Sequence, residues 1–232
     1  MPHAPTTRAE YWDLYKPFRG EGRQPRPRAD RFEWTQFPGH GPGAELLGQP
    51  RQALELGPAE GAEAVFLARR GVQVTAVDFS AFQVGRARTW WRDVTGLTFL
   101  HAEACGFLTA TTTAYDAVYS VWGAVWFTDP DTLLPLVAAR LDPEGVFAFS
   151  QAEAVTDVYG PQPMGGKWLA GRERELTVLR WQYTPAMWAD ILTRHGFRDI
   201  DAHVLAAPEA GATGTLMVRA RGPLPSDAVG RR

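Results

Sequence analysis

Residues 52–61 read QALELGPAEG, and the acidic residue that completes their meaning is Asp78. A short apolar run carries Glu55 and then breaks into a glycine loop, Gly57-Pro58-Ala59-Glu60-Gly61. An apolar helix pattern, AEAVFLARRG, starts at once and a second apolar run, VQVTAVD, ends on Asp78. Strand, tight loop, helix, strand and acid follow one another within 27 residues. Such a unit presents backbone N–H groups at a helix N-terminus and places a carboxylate where a ribose would lie.

Working outward, the alternation continues downstream. Gly71 stands where a glycine ends the first helix, and Ser80 is placed to cap a second, SAFQVGRARTWWRDVTG, closing at Gly96. The third strand is LTFLHA and the fourth AYDAVYSVW. Asp129-Pro130 reads as the cap and first position of a helix ending near Leu141. Pro135 in its middle predicts a kink, or a start displaced to Asp131. The turn DPEG leads into a fifth strand, VFAFSQ. Residues 152–183 mix glycine, proline, aromatic and charged residues, with a weakly amphipathic stretch at RERELTVLRWQY. Thr184-Pro185 opens a helix through AMWADILTRH to Gly196. FRDIDAHVL and GTLMVRAR, joined by AAPEAGATG, form a terminal hairpin that brings an antiparallel strand to the sheet.

Upstream, Tyr11, Trp12, Leu14 and Tyr15 share one face of a short helix in AEYWDLYKPF, which ends before Pro17. GEGRQPRPRAD is too rich in glycine, proline and arginine to pack and reads as a mobile loop. Pro38-Gly39-His40-Gly41-Pro42-Gly43 is a second loop, and AELL a short helix before the first strand. These assignments divide the chain into an N-terminal lid or loop segment (1–50), an α/β domain (51–222) with a substrate insertion near 152–183, and a disordered tail (223–232).

Composition limits the partners. At 232 residues with 45% apolar content, one sizeable α/β domain is expected. A net charge of −2 gives no global attraction to nucleic acid or anionic membranes, and no apolar run approaches the roughly 20 residues of a membrane span. The start MPHAPTTRAEYWD lacks a signal-peptide core, and the lone Cys105 excludes an internal disulfide, so a cytoplasmic location is expected. Nine tryptophans, many outside the core strands, suggest a pocket for a flat aromatic ligand.

Three motifs in order give the chain its family resemblance: ALELGPAEG, then TAVDFS, then HAEA with YDAVYSVWGAVWFTDP and LDPEGVFAFS. Over residues 52–221 the chain resembles a class I S-adenosylmethionine-dependent methyltransferase of small-molecule type. The resemblance implies a Rossmann-like fold: a mostly parallel seven-stranded sheet with an antiparallel terminal strand and helices on both faces. Nicotinamide enzymes space their loop G-x-G-x-x-G, whereas here Gly57, Ala59 and Gly61 alternate and an acid lies two residues before the first glycine. Ala59 stands where the family usually has its middle glycine, and it calls for a rearranged loop if that position needs positive φ.

The cofactor implied is S-adenosylmethionine. By resemblance, Glu55 binds the methionyl ammonium, Gly57, Ala59 and Gly61 let the backbone approach, and Asp78 takes both ribose hydroxyls. Phe79 lies against the adenine, Glu103 or the backbone at Ala104 accounts for its edge, and Ser120 joins the cofactor set. No metal is expected. Many small-molecule relatives carry a histidine after strand four; SVWGAVWF has none, and Trp122 and Trp126 are expected instead to line the site and face the sulfonium. His40, on a flexible glycine loop, is the leading base candidate, with His101 read as a strand residue and His195 as a helix end. Tyr11, Trp12 and Tyr15 resemble an aromatic lid, and Tyr159, Trp168, Trp181 and Tyr183 are expected to complete the substrate pocket. The function expected is methyl transfer to N or O of a small aromatic or heterocyclic acceptor by a monomer or homodimer. A nucleic-acid or protein methyltransferase and a non-catalytic binder of the cofactor remain open alternatives.

Overall fold

β1 (Gln52–Leu56) is apolar at three of its five positions, and residues 53–56 are all buried, as befits a strand covered on both faces. It is the third strand of a seven-stranded sheet. The computed structural model describes residues 8–13, 26–165 and 177–224. β2 (Gln73–Asp78) and β3 (Leu97–His101) continue the sheet on one side of β1, and β4 (Tyr115–Val121) and β5 (Leu141–Ala152) continue it on the other, all parallel. The strand order is β3-β2-β1-β4-β5-β9-β8. β9 (Thr215–Arg221) runs antiparallel to both β5 and β8 (Arg198–Leu205). The expected antiparallel strand is therefore present, one position in from the edge.

The helices divide between the faces. α2 (Ala62–Ala68) and α3 (Ala81–Trp90) pack on one face, where Val65, Leu67, Val84 and Ala87 meet Ala53, Val74 and Ala76. α4 (Ala104–Ala110), α6 (Pro130–Ala138) and α7 (Pro185–Arg194) cover the other, where Leu108, Leu133, Leu134 and Trp188 meet Leu54, Val118 and Phe149. Among the described residues no α-helix covers β4, β5 and β9 on the α2 face. Residues 26–43 lie there as a strap, with Phe32 and a fully buried Trp34 against Tyr119, and a single 3-10 turn at Ala44–Leu47 adds Leu47. A third, smaller cluster joins α1 (Arg8–Asp13), α5 (Ala124–Phe127) and β7 (Thr177–Gln182) through Tyr11, Trp126, Phe127 and Val178.

Several boundaries differ from the sequence reading, each for a physical reason. α3 stops at Trp90 rather than Gly96, because the Trp91 indole is drawn inward and donates to the Glu60 carbonyl at 2.8 Å. α4 was not anticipated; ACGFLTA is short and carries a glycine, and Glu103 starts the helix by accepting from the Gly106 N–H at 2.8 Å. α6 starts at Pro130, with the Asp129 carboxylate accepting from Asp131 N. Pro135 stays inside that helix, since the acceptor it forgoes lies in an exposed first turn. The turn DPEG is enclosed within β5 as an irregularity of its pairing with β4. Much of the insertion is β: β6 (Gly160–Gly165) pairs with β7 in a separate hairpin, so TVLRWQ is a strand rather than an amphipathic stretch.

The arginine-rich segment is also partly docked rather than mobile. The Arg26 guanidinium stacks 4.1 Å over the Trp91 ring and donates to the Trp90 carbonyl, and Ala29 is buried with its carbonyl accepting from Arg69. Tyr15 and Trp168 lie outside the described residues, as does most of the expected tail. Among the described residues no helix is long and apolar enough to cross a membrane.

Candidate active site

The β1–α2 and β4–α5 loops meet at the C-terminal ends of the strands, where ligands of open α/β sheets bind. Gly57 has a φ of 82°, and a Cβ there would stand 2.5 Å from the Ala124 nitrogen. A Cβ on Gly123 would stand 2.5 Å from the Leu56 carbonyl oxygen and 2.7 Å from that of Gly57. The two backbones touch because neither residue has a side chain. Gly61 has a φ of 77°, and the Phe99 ring occupies the space its side chain would need. Between these loops and α3 lies a cavity of about 400 Å³.

Glu55, Gly57, Ala59, Gly61, Asp78, Phe79, Glu103 and Ala104 all line this cavity, so eight of the nine residues assigned to the cofactor by resemblance come together in space. Ser120 does not. Its hydroxyl is spent inside the scaffold, donating to the Leu56 carbonyl at 2.7 Å and accepting from Val125 N at 3.3 Å. It braces the glycine contact from behind.

The cavity is acidic at its base. Glu55 is 1% exposed and accepts from the Tyr119 hydroxyl at 3.1 Å. Burial, reinforced by the charge of Glu63, holds its carboxyl well above the usual carboxylate range. Glu63, in the first turn of α2, is pushed up to about 7 by burial, against the opposing pull of its own N–H and that of Glu33. Asp78 is raised by burial, although Oδ1 accepts from Ser80 N at 2.8 Å and Oδ2 from Ala59 N at 3.0 Å. Those two bonds aim the carboxylate and leave each oxygen a further lone pair toward the cavity.

Two cavity residues occupy the left-handed backbone region: Ala59 with a φ of 46° and Trp122 with a φ of 49°. Ala59 keeps a glycine-like left-handed turn despite its methyl group, so the position does need the positive φ that the sequence left open. Trp122 is held in its strained conformation by Trp122 N donating to the Ser150 carbonyl at 2.8 Å and its indole N–H donating to the Trp34 carbonyl at 2.9 Å.

Trp122 and Trp126 part company. Trp122 is on the cavity wall, whereas Trp126 is 7% exposed and packs in the third cluster. Its ring stands at 84° to that of Trp122, 5.6 Å away, with Arg180 on its other side. The expectation that Trp126 lines the site is corrected: the short helix α5 turns it inward. Phe127 and Thr128 reach the wall instead. His40 is also corrected. Its Nε2 lies 2.8 Å from the Ala206 carbonyl just beyond β8, three strands past β4, roughly 14 Å at the usual strand spacing.

The aromatic N-terminal helix divides in two. Trp12 lines the cavity, edge-on to Phe127 at 4.5 Å, while Tyr11 is buried in the third cluster as its anchor. α1 is fixed to the start of α3 by the Asp13 carboxylate, which accepts from the Ser80 hydroxyl and from Phe82 N, and by Gln83 Nε2 donating to the Trp12 carbonyl. Tyr159, Trp181 and Tyr183 do not line this cavity. Tyr183 packs edge-on to Trp188 in the core, and the Trp181 carbonyl accepts from Gln151.

Gln83, Arg86, Glu60 and Glu63 were missed from the sequence. Arg86 donates to Gln83 Oε1 at 2.6 Å and pairs with Glu60 at 3.2 Å. Ser80, Gln83 and Arg86 recur at three-residue intervals on α3, a spacing that puts them on one helix face and was the available signal.

With this geometry in hand, residues 54–149 match a family model described as a methyltransferase domain. Residues 54–149 therefore carry a methyltransferase domain, in a fold that solved methyltransferases share. Solved structures share the fold of this chain at low identity. A 1,6-didemethyltoxoflavin-N1-methyltransferase of Burkholderia thailandensis is 23% identical with a TM-score of 0.57, over 78% of this chain and 74% of that one. The glycopeptide N-methyltransferase MtfA, complexed with sinefungin, is 21% identical with a TM-score of 0.58, over 78% and 90%. The N-terminal domain of EvdMO1 with S-adenosylhomocysteine bound is 20% identical with a TM-score of 0.56, over 77% of each chain. No curated protein sequence matches the methyltransferase.

Two outcomes test the site. Ala59→Gly should stabilise the protein by about 0.5 kcal/mol in chemical denaturation, the release of left-handed strain exceeding the added unfolded-state entropy; a loss of stability would show that the methyl group packs favourably. Because Glu55 and Glu63 have folded pKa values raised above the unfolded value, the ligand-free native state binds more protons than the unfolded one. Stability should therefore fall as pH rises from 4.5 towards 7. Thermal melts of Glu63→Gln should show a shallower fall than wild type.

Proposed function

We propose that this methyltransferase transfers the methyl group of S-adenosylmethionine to a nitrogen or oxygen of a small aromatic or heterocyclic acceptor. The observation that carries the reading is the wall at the end of β4, where Trp12, Trp122 and Phe127 offer aromatic faces to the cavity. Such faces suit a flat ring and give a polymer backbone nothing to pair with. Among the similar structures, one N-methyltransferase holds 1,6-didemethyltoxoflavin together with S-adenosylhomocysteine, and another is named for a glycopeptide. The net charge of −2 and the acidic cavity base offer no attraction to a phosphate backbone.

The residues present fit the cofactor. The absence of side chains at Gly57 and Gly61 opens the cradle, Glu55 takes the methionyl ammonium, and the free lone pairs of Asp78 take the two ribose hydroxyls. Phe79 lies along the adenine. Glu103 Oε2 is committed to Gly106 N, leaving Oε1 for the adenine amino group, and Ala104 opens α4 with an N–H that has no intrahelical partner. The cofactor supplies a sulfonium methyl that any well-placed lone pair can displace in line, so the protein's task is alignment and exclusion of water. α1 serves the second task by holding Trp12 over the cavity mouth, and Trp122 presents a π face to the sulfonium.

Conversion of S-adenosylmethionine to S-adenosylhomocysteine should depend on an added acceptor when heterocyclic amines and phenols are screened against oligonucleotides and peptides. Acceptor-dependent turnover confined to oligonucleotides or peptides would overturn the reading, and tight cofactor binding with no turnover on any acceptor would point to a binding protein. Asp78→Ala should weaken S-adenosylhomocysteine binding by about 1–3 kcal/mol in calorimetry; unchanged affinity would remove Asp78 from the ribose.

A further inference from the structure

We propose that Glu63 is the catalytic base of the methyl transfer, facing the acceptor side of the cavity and taking the proton of an acceptor amine that arrives as its ammonium. This rests on the methyltransferase reading of the cavity and assigns a proton acceptor to it.

The geometry begins with the strap. Two consecutive strap residues touch two separate parts of the cavity wall. The Trp34 carbonyl accepts the indole N–H of Trp122 at 2.9 Å, and the backbone N–H of Glu33 faces the carboxylate of Glu63. Consecutive Cα atoms are about 3.8 Å apart, so the strap joins Glu63 to the Trp122 end of the cavity. Asp78, Phe79 and Glu103, which face the adenosine, come from the ends of β2 and β3 on the opposite side of β1. Glu63 itself lines the cavity from the first turn of α2.

The surroundings of Glu63 favour a cation at this end. Glu33 faces it from the strap, Glu60 from the glycine loop and Glu55 from β1, with the Tyr119 hydroxyl beside Glu55 on β4. Arg86 comes to the cavity lining from α3 and is paired with Glu60 at 3.2 Å. Glu33 is braced by Gly39 N, which lies 3.1 Å from both of its carboxylate oxygens. An ammonium entering beside Trp122 meets these carboxylates, with Arg86 the one guanidinium among the described residues that line the cavity. A carboxyl that titrates near 7 is balanced between holding and releasing a proton at neutral pH, the condition that suits a general base. His40, which the glycine loop suggested for this role, is tied to Ala206 and leaves the position to Glu63.

The step balances without a further reactant. The Glu63 carboxylate takes a proton from the acceptor's ammonium, freeing the nitrogen lone pair. That pair attacks the methyl carbon, the C–N bond forms as the C–S bond breaks, and the S–C pair stays on sulfur. The product leaves as a methylated ammonium, and Glu63 returns its proton to solvent.

The test uses two probes and needs no knowledge of the acceptor. S-adenosylhomocysteine has a neutral sulfur at the transfer position, whereas sinefungin carries an ammonium there. Calorimetry on wild type should show a preference for sinefungin that rises as pH passes upward through about 7, where Glu63 ionises. Glu63→Gln should lower that preference by roughly ten- to hundredfold, the worth of one charge-assisted hydrogen bond, and flatten its pH dependence while S-adenosylhomocysteine binds as before. Equal weakening of both ligands would place Glu63 at the methionyl ammonium beside Glu55 and overturn the proposal. An unchanged preference would overturn it as well. Failure of wild type to bind either ligand would instead remove the methyltransferase reading on which the proposal stands. Glu63→Ala gives the same comparison if the amide variant does not fold. With an acceptor amine in hand, the acidic limb of kcat/KM should vanish in Glu63→Gln.

Discussion

The contact between Gly57 and Gly123 is the constraint on which the site depends. Each would need about an ångström more room to carry a Cβ, because the obstructing atoms are backbone of the other loop rather than movable side chains. Their contact draws the ends of β1 and β4 together and fixes the floor of the cavity. Ser120 secures the contact from below through Leu56 and Val125, and the Trp91 indole secures the far side of the loop through the Glu60 carbonyl. A ligand that must present a reactive carbon to an incoming nucleophile gains from such a floor, since a small displacement of either partner costs rate.

Around this floor the protein accepts costs that a purely structural core would avoid. Glu55 and Asp78 are pushed up in pKa by burial, and Ala59 and Trp122 sit in left-handed backbone. Strained backbone and desolvated acids persist where the surrounding packing over-determines them, and they gather at functional sites. Here the over-determination is visible in the bonds. Asp78 holds Ala59 N and Ser80 N at once, and Trp122 is bonded at both its backbone and its indole nitrogen. A cationic ligand entering this pocket relieves part of the electrostatic cost of the ionised acids, so a rise in pH weakens the empty protein and favours the filled one.

The tryptophans illustrate how one residue type takes different parts. Trp34 and Trp188 are fully buried in opposite faces of the sheet, Trp91 supports the glycine loop, Trp126 packs beneath the wall, and Trp12 and Trp122 form the wall itself. The strap explains why so many lie before β1 and after β4. It covers β4, β5 and β9 in place of a helix, and without helical hydrogen bonds it needs large rings and specific bonds to carbonyls to hold its course.

The βαβ unit, the acids at the strand ends and the mostly parallel sheet with its antiparallel terminal strand were legible in the residues themselves. Period-two and apolar runs, glycines at left-handed positions and acids at strand ends are local consequences of backbone geometry, and QALELGPAEG with Asp78 carries them all within 27 residues. What could not be read locally was which side chains from distant segments share a wall. His40 and Trp126 looked available along the chain, yet Ala206 and the third cluster claim them. Glu63 and Arg86 carry no motif that marks them along the chain, yet both line the cavity. Local sequence determined the glycine loop and its flanking acids, because their geometry lies in consecutive φ angles and strand ends. The aromatic and acidic wall around them was decided by tertiary structure, because it is assembled from α1, the strap, α2 and α5, whose meeting depends on burial summed over the whole fold.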